Sequence, residues 1–327
     1  MEINQYYIAG KFITPHGKEV IELINPATEQ KVGHVVSGSK KDVNDAVTAA
    51  KHAFQDASAL SIEQKKTILQ EIIEGMDKRR DEFAQIISEE MGSPIKVARG
   101  AQFSSGKVHF VNTLKVIDDF SFSEVHDNIT LNKLPIGPVG MITPWNWPLN
   151  QMCTKIASAI AAGTSFVLKP SEITPGAAQL FAEIVDKTSM PKGMFNLIHG
   201  YGATVGKEMS QHNDLEMISF TGSTRAGIDI QKTAADTIKR VSLELGGKSP
   251  NIILDDVDLE KAVNMGMKQC FFNTGQSCSS PTRMLIPEAM LDEATKYAVA
   301  AAGSMHTGDP QNEEIFLGPI SNKIQYE

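Results

Sequence analysis

A single thiol, Cys278, stands in the stretch Phe271-Phe272-Asn273-Thr274-Gly275-Gln276-Ser277-Cys278-Ser279-Ser280-Pro281-Thr282-Arg283. The apolar residues from Leu259 to Phe272 recur with helical spacing, and Arg283 to Pro287 reads as a short strand, so the cysteine falls in a Gly- and Ser-rich turn between two packed elements. A side chain on such a turn reaches a cleft. A thiol there becomes a nucleophile when its pKa falls or a base stands near. The competing reading, open to any lone cysteine, is an inert buried one.

Two glycine-rich turns could take phosphates. Gly200, Gly202 and Gly206 follow a strand and open a helix, but their spacing is one residue longer than the dinucleotide fingerprint, and no acid follows about twenty residues later. The run Phe220-Thr221-Gly222-Ser223-Thr224-Arg225-Ala226-Gly227 leads straight from a strand into a helix. It offers backbone N–H groups and the Ser223 hydroxyl at the positive end of the helix dipole, a fit for pyrophosphate. A helix start capped by its own serine is the alternative. The strand ending in Leu168-Lys169-Pro170-Ser171-Glu172 adds a cation and an acid at the sheet edge, or else an exposed pair worth little to stability.

The elements that must position these groups alternate along the chain. Short apolar runs in the first forty residues, such as Tyr6 to Ile8 and Val20 to Ile24, read as edge strands and turns. Capping-box patterns at Ser39 with Asp42, and at Ser61 with Gln64, start two amphipathic packing helices. A third such segment, Phe83 to Met91, ends at Gly92-Ser93-Pro94, and a longer helix runs on toward Phe120. From Ser121 to Ile136 apolar residues alternate around a turn at His126-Asp127-Asn128, which predicts a protruding hairpin, either an ordinary surface one or one open to strand pairing. After Gly137 the order is strand, helix, strand, helix. The strands are Val139 to Thr143, Ser165 to Lys169, Met194 to His199, Leu215 to Thr221, Val241 to Leu245 and Asn251 to Leu254. Unbroken apolar strands of this kind are covered on both faces, so the fold class is α/β with a mostly parallel, doubly wound sheet. Ligands bind at the strand ends of such sheets.

With 327 residues and 41% apolar content the chain is long enough for two domains and a substantial core. A net charge of -8 and a pI near 5.6 argue against nucleic-acid and anionic-membrane partners, which need clustered Lys and Arg. No run could span a bilayer and Met1 to Gly10 is no signal peptide, so a cytoplasmic protein is expected. Three cysteines, Cys153, Cys270 and Cys278, suit a reducing compartment, and no Cys or His pair has zinc-ligand spacing, so no metal is expected. The histidines are scattered, and none stands near Cys278 to serve a Cys-His hydrolase.

The Cys278 stretch, together with Pro144-Trp145-Asn146-Trp147-Pro148 and Leu243-Glu244-Leu245-Gly246-Gly247-Lys248-Ser249-Pro250, resembles the aldehyde dehydrogenase superfamily, and the resemblance runs over nearly the whole chain. It implies a Rossmann-like cofactor domain (1–120 and 137–250), an oligomerisation hairpin (121–136) and a catalytic domain (251–327). It also implies NAD(P)-dependent oxidation of a small aldehyde to its acid through a cysteine hemithioacetal and thioester. In that scheme Cys278 adds to the carbonyl, and Asn146 and the Cys278 backbone N–H steady the oxyanion. Glu244 is the base for thioester hydrolysis, and Lys155 lies near the proton path or is simply a helix lysine on the surface. The apolar run Val241 to Leu243 predicts that the Glu244 carboxylate is partly desolvated, with a raised pKa. On the cofactor side the resemblance assigns Lys169 and Glu172 to the adenosine ribose and Gly222 and Ser223 to the pyrophosphate, with Thr143, Trp145 and Leu245 beside them. An acid at Glu172 favours NAD, with NADP possible. Trp147, Gln151, Thr154, Ser277 and Ser279 should line the substrate channel, and no aromatic box for a quaternary ammonium is evident.

The same resemblance implies a homo-dimer or homo-tetramer in a full-length form, and a chain that ends before the family's ribose-holding glutamate motif. Asn251 to Glu327 is short of the usual domain of about 100 to 150 residues, so an incomplete catalytic domain with exposed edges is expected. Two alternatives accompany the dehydrogenase reading: an inactive remnant that keeps cofactor or subunit binding, and a CoA-acylating enzyme, which Glu244 disfavours.

Overall fold

A computed structural model describes residues 1–327. Its main sheet has seven strands. Arg240–Leu245, Met217–Gly222, Val139–Ile142, Phe166–Lys169 and Phe195–Leu197 lie side by side in parallel, and Tyr6–Ile8 and Lys11–Ile13 complete the far edge in antiparallel sense. Val139–Ile142 and Phe166–Lys169 are buried at every position, as unbroken apolar strands in the middle of a covered sheet must be.

Each face has its own core. On one, Ile218 and Phe220 pack with Val43, Val47 and Ile230 from the helices Lys40–Ser58 and Thr224–Ala235. On the other, Met141, Phe166 and Leu168 join the helices Ile62–Lys78, Arg80–Met91, Pro148–Ala162 and Gly176–Val185. Both expected capping boxes form. The Ser39 N–H donates to Asp42 Oδ2 at 2.7 Å, and the Gln64 N–H donates to Ser61 Oγ at 3.2 Å while Ser61 N–H reaches Gln64 Oε1 at 2.9 Å. The longer helix begins at Ile95, widens into a π-helical segment at Ala98–Gln102 and continues as Phe103–Val116.

The hairpin is present as Ser123–His126 against Ile129–Asn132, with Asp127 in the left-handed region (φ 52°) at its turn. It projects apolar groups into solvent, Val125 being 73% and Leu134 82% exposed. Five of the six strands expected for the doubly wound sheet join it. The sixth does not: Pro250–Ile252 pairs in parallel with Arg283–Leu285 in a separate two-stranded sheet under the helices Leu259–Phe271 and Leu291–Gly303. Its small core is Ile253, Leu259, Val263 and Ala294, while Ile252, Leu254 and Leu285 face outward. No helix is long and apolar enough to cross a membrane.

Candidate active site

The turn that carries Cys278 is built against a backbone cost. After the helix Leu259–Phe271 the chain turns through Asn273 (φ 57°), Thr274 (φ 58°) and Gly275 (φ 68°), three left-handed residues in a row, of which the β-branched threonine is the least tolerant. Side-chain hydrogen bonds hold it there. Buried Asn273 donates from Nδ2 to the Asn146 carbonyl at 3.0 Å and accepts at Oδ1 from Gln102 Nε2 at 3.0 Å; Gln102 Nε2 also reaches the Asn146 carbonyl at 3.0 Å. The Gly318 N–H donates to Thr274 Oγ1 at 3.1 Å, and the Ser321 N–H to Gln276 Oε1 at 3.0 Å.

The Asn146 turn and the cysteine turn are then tied directly. Asn146 Nδ2 donates to the Gln276 carbonyl at 2.8 Å, and Trp147 Nε1 donates to Ser277 Oγ at 2.8 Å. The second N–H of the Asn146 amide has no protein acceptor. The third motif also comes close, for a Cβ built on Gly247 would stand 3.9 Å from the Cys278 carbonyl oxygen. Cys278 itself is exposed, whereas Cys153 is buried and burial pushes its thiol well up. The inert buried cysteine of this chain is therefore Cys153. Three stretches far apart in sequence converge on an accessible thiol.

Glu244 departs from expectation. It lies in the edge strand Arg240–Leu245, whose positions alternate between exposed and half-buried, and its side chain falls on the exposed set. The apolar run before it does not desolvate the carboxylate, because Val241, Leu243 and Leu245 all turn to the opposite face of the sheet and pack on its core. Register pairs Glu244 with Thr221 and Ser242 with Ser219, so these four share a polar strip on one face of the sheet, met at Ser219 by the helix Pro148–Ala162 and exposed at Ser242 and Glu244. Lys155 of that helix is half-buried and donates from Nζ to Ser219 Oγ at 2.9 Å, which removes the surface-lysine alternative. Burial pushes its pKa down to about 8, opposed by the charge of Glu244.

At the other end of the sheet's crevice is a cavity of about 910 Å³. Glu172, Tyr201, Gly202, Lys207, Arg225 and Ile142 are among its walls. Both glycine-rich turns therefore border one space rather than competing for it. Gly222 and Ser223 are not in its lining and are separated by Thr224 from Arg225 and Ala226, which are. Ser223 Oγ accepts from the Ala226 N–H at 3.3 Å, so its hydroxyl is used as a cap in this structure. Lys169 is buried and anchored to the Gly200 carbonyl at 2.8 Å and to Glu172 Oε2 at 3.3 Å; burial pulls its pKa down, against the attraction of Glu172. Beside it His199 is buried and held neutral, its pKa pushed to about 3 by burial and then by the lysine's charge. Thr143, Trp145 and Leu245 lie outside the lining. The Thr143 N–H bonds the Lys169 carbonyl at 3.1 Å, the Trp145 carbonyl accepts from Thr174 Oγ1 at 3.4 Å, and Leu245 pairs with Gly222 in register.

A second cavity, of about 600 Å³, opens beside the cysteine turn between Trp147, Phe272, Phe316 and Lys268, with Ser277 and Ser279 on its wall. Of the five residues expected to line a substrate channel, Trp147, Ser277 and Ser279 lie in the wall of this cavity. Gln151 and Thr154 do not. Sequence reasoning missed Gln102, Asn273, Ser219 and Thr221. The last two had a signal in the lone polar residues alternating through an apolar strand, Ser219-x-Thr221. Gln102 had none, because it owes its direction to the π segment.

Comparison with known proteins agrees over the whole chain. The family model described as "Aldehyde dehydrogenase family" matches residues 12–327. The 3-succinoylsemialdehyde-pyridine dehydrogenase of a Pseudomonas species is 43% identical over 327 residues, 100% of this chain and 69% of that protein. A mutant of aldehyde dehydrogenase C from Pseudomonas syringae, solved with NAD+ and octanal, is 45% identical with a TM-score of 0.97, over 99% of this chain and 67% of that one. An aldehyde dehydrogenase from Bartonella henselae is 44% identical with a TM-score of 0.97, over 100% of this chain and 69% of that one.

Proposed function

The chain belongs to the aldehyde dehydrogenase family, a family of oxidoreductases, and on that premise we propose that its reaction is oxidation of a small aldehyde to a carboxylic acid with Cys278 as nucleophile. The observation that carries this reading is the bond from Asn146 Nδ2 to the Gln276 carbonyl, because it fixes an amide beside the turn that presents the thiol. Addition of the Cys278 sulfur to the aldehyde carbon makes a tetrahedral hemithioacetal whose oxygen carries the developing negative charge. The free N–H of Asn146 and the Cys278 backbone N–H are the donors suited to that oxygen. Loss of hydride from this carbon leaves a thioester; Glu244 takes a proton from water as its oxygen bonds the thioester carbon, and the C–S bond then breaks to release the acid and the Cys278 thiolate. An exposed Glu244 is open to that water.

The large cavity fits a dinucleotide in chemistry. Its walls offer the Glu172 carboxylate for sugar hydroxyls, with Lys207 and Arg225 as cations for phosphate. NAD(P)+ bound there supplies the hydride acceptor. A carboxylate at Glu172 repels a 2′-phosphate, so NAD is the preferred form. The wider reading keeps 1–120 with 137–250 as the cofactor domain and 251–327 as the catalytic domain. The hairpin 121–136, with its exposed Val125 and Leu134, supports assembly into a homo-dimer or homo-tetramer, and the setting is cytoplasmic.

The test is NADH production with short aldehydes, with and without free CoA, by the chain and by Cys278→Ala. Turnover that needs Cys278 and ignores CoA is expected. Turnover surviving in the variant rejects the nucleophile, and measurable NAD binding without any turnover marks the chain as a cofactor-binding remnant.

A further inference from the structure

Lys155 is a cation inside the protein with one hydrogen-bond acceptor, and that acceptor is the side chain of Ser219. The helix Pro148–Ala162 starts directly after Asn146 and Trp147, the two residues tied to the cysteine turn. Lys155 stands two turns further along, about 10 Å down the axis, over the strip formed by Ser219, Thr221, Ser242 and Glu244. The carboxylate whose charge opposes its burial is that of Glu244. Thr221, between Ser219 and Glu244 on this strip, has a buried hydroxyl with no partner. A lysine side chain has four rotatable bonds and little direction of its own, so something must choose where over the strip the ammonium sits.

We propose that Ser219 is a positioning residue: its hydroxyl fixes the Lys155 ammonium over the strand pair from which Glu244 rises, and so sets the strength of the Lys155–Glu244 interaction. This rests on the reading of Glu244 as the hydrolytic base, and deepens it. Held by Ser219, the ammonium keeps one place relative to Glu244, the carboxylate assigned to accept a proton from water. Without the Ser219 hydroxyl the buried neutral acceptor left on the strip is that of Thr221, and the mean position of the amine relative to Glu244 changes.

The test needs neither aldehyde nor cofactor. Lys155 is titrated in the intact chain by competitive labelling with acetic anhydride across pH, reading the Lys155 peptide by mass spectrometry. In Ser219→Ala the labelling midpoint is expected to fall by about one pH unit, because a hydrogen bond to the charged form is lost. Ser219→Thr keeps a hydroxyl and is expected to restore it. Glu244→Gln is expected to lower the midpoint in the parent chain and to do so by clearly less in the Ser219→Ala background, the mark of a position-dependent coupling. An unchanged midpoint in Ser219→Ala, or an equal Glu244→Gln shift in both backgrounds, overturns the proposal. The reaction itself is judged separately by the Cys278→Ala assay, so failure of one does not masquerade as failure of the other.

Discussion

The side-chain amide of Asn146 donates to the main-chain carbonyl of Gln276 at 2.8 Å, so the residue suited to receive an oxyanion is also the clip that closes two loops onto each other. Both duties rest on one amide nitrogen, so truncation removes them together. Asn146→Ala is expected to lower kcat by about a hundredfold or more, near the 3 kcal/mol that one oxyanion donor is worth. Asn146→Asp keeps the size but places a negative charge against both the carbonyl and the oxyanion, and should be no better. Measured kcat equal to the parent in either variant would remove Asn146 from the chemistry.

Glu172 is half-buried in the wall of the larger cavity and bonded to buried Lys169 at 3.3 Å. Glu172→Gln removes a charge that a 2′-phosphate would meet while leaving Lys169 in place. The ratio of dissociation constants, NADP over NAD, is expected to fall roughly tenfold, the scale of one repulsive unit charge near a protein surface. Fluorescence titration of both cofactors reads it, and an unmoved ratio argues against ribose contact.

Glu90 is fully buried, and its carboxyl meets the N–H of Gly176 at 3.0 to 3.1 Å at the start of a helix. Burial raises its pKa to about 8, more than that N–H lowers it. A group whose pKa is raised on folding holds its proton longer in the folded chain. Its contribution is complete below the ordinary carboxylate pKa and is lost as pH climbs to about 8. Glu90→Gln should therefore flatten the decline in unfolding free energy over that window, by on the order of 1 kcal/mol per pH unit. Urea unfolding of both chains at matched pH values checks it, and parallel curves would dismiss the buried proton.

Asn273 combines a left-handed backbone with hydrogen bonds to Gln102 and Asn146. Asn273→Ala removes two side-chain hydrogen bonds, leaving Gln102 Nε2 and the Asn146 carbonyl with only each other, and adds strain at φ 57°, for a loss of about 2–4 kcal/mol. Asn273→Gly relaxes the backbone but not the lost bonds, so it should recover roughly 1 kcal/mol of that. Equal stability of the two variants would show that the conformation costs nothing.

The fold was legible where one rule governed a whole segment. Unbroken apolar runs such as Val139–Ile142 and Phe166–Lys169 specified a covered parallel sheet, and Ser39 and Ser61 announced helix starts. Asn251 to Leu254 misled because a short apolar run says that a strand exists but not which sheet it joins. Glu244 misled for a related reason. Apolar neighbours at odd positions of an edge strand look toward the other face, and the carboxylate between them looks to water. What could not be read at all was the bracing of the cysteine turn, since Gln102, Asn146 and Asn273 meet only after folding.

Gln102 closes the π segment Ala98–Gln102, where the helix holds more residues in its turn than the regular 3.6. Each residue of a regular helix advances the side chain by about 100°. Were the same five residues to tighten to ordinary pitch with none removed, each would advance further about the axis, and the amide of Gln102 would swing away from both loops. The angular phase of one helix is thus a dial for the site: a change that leaves circular dichroism alone would silence the contacts that steady Cys278.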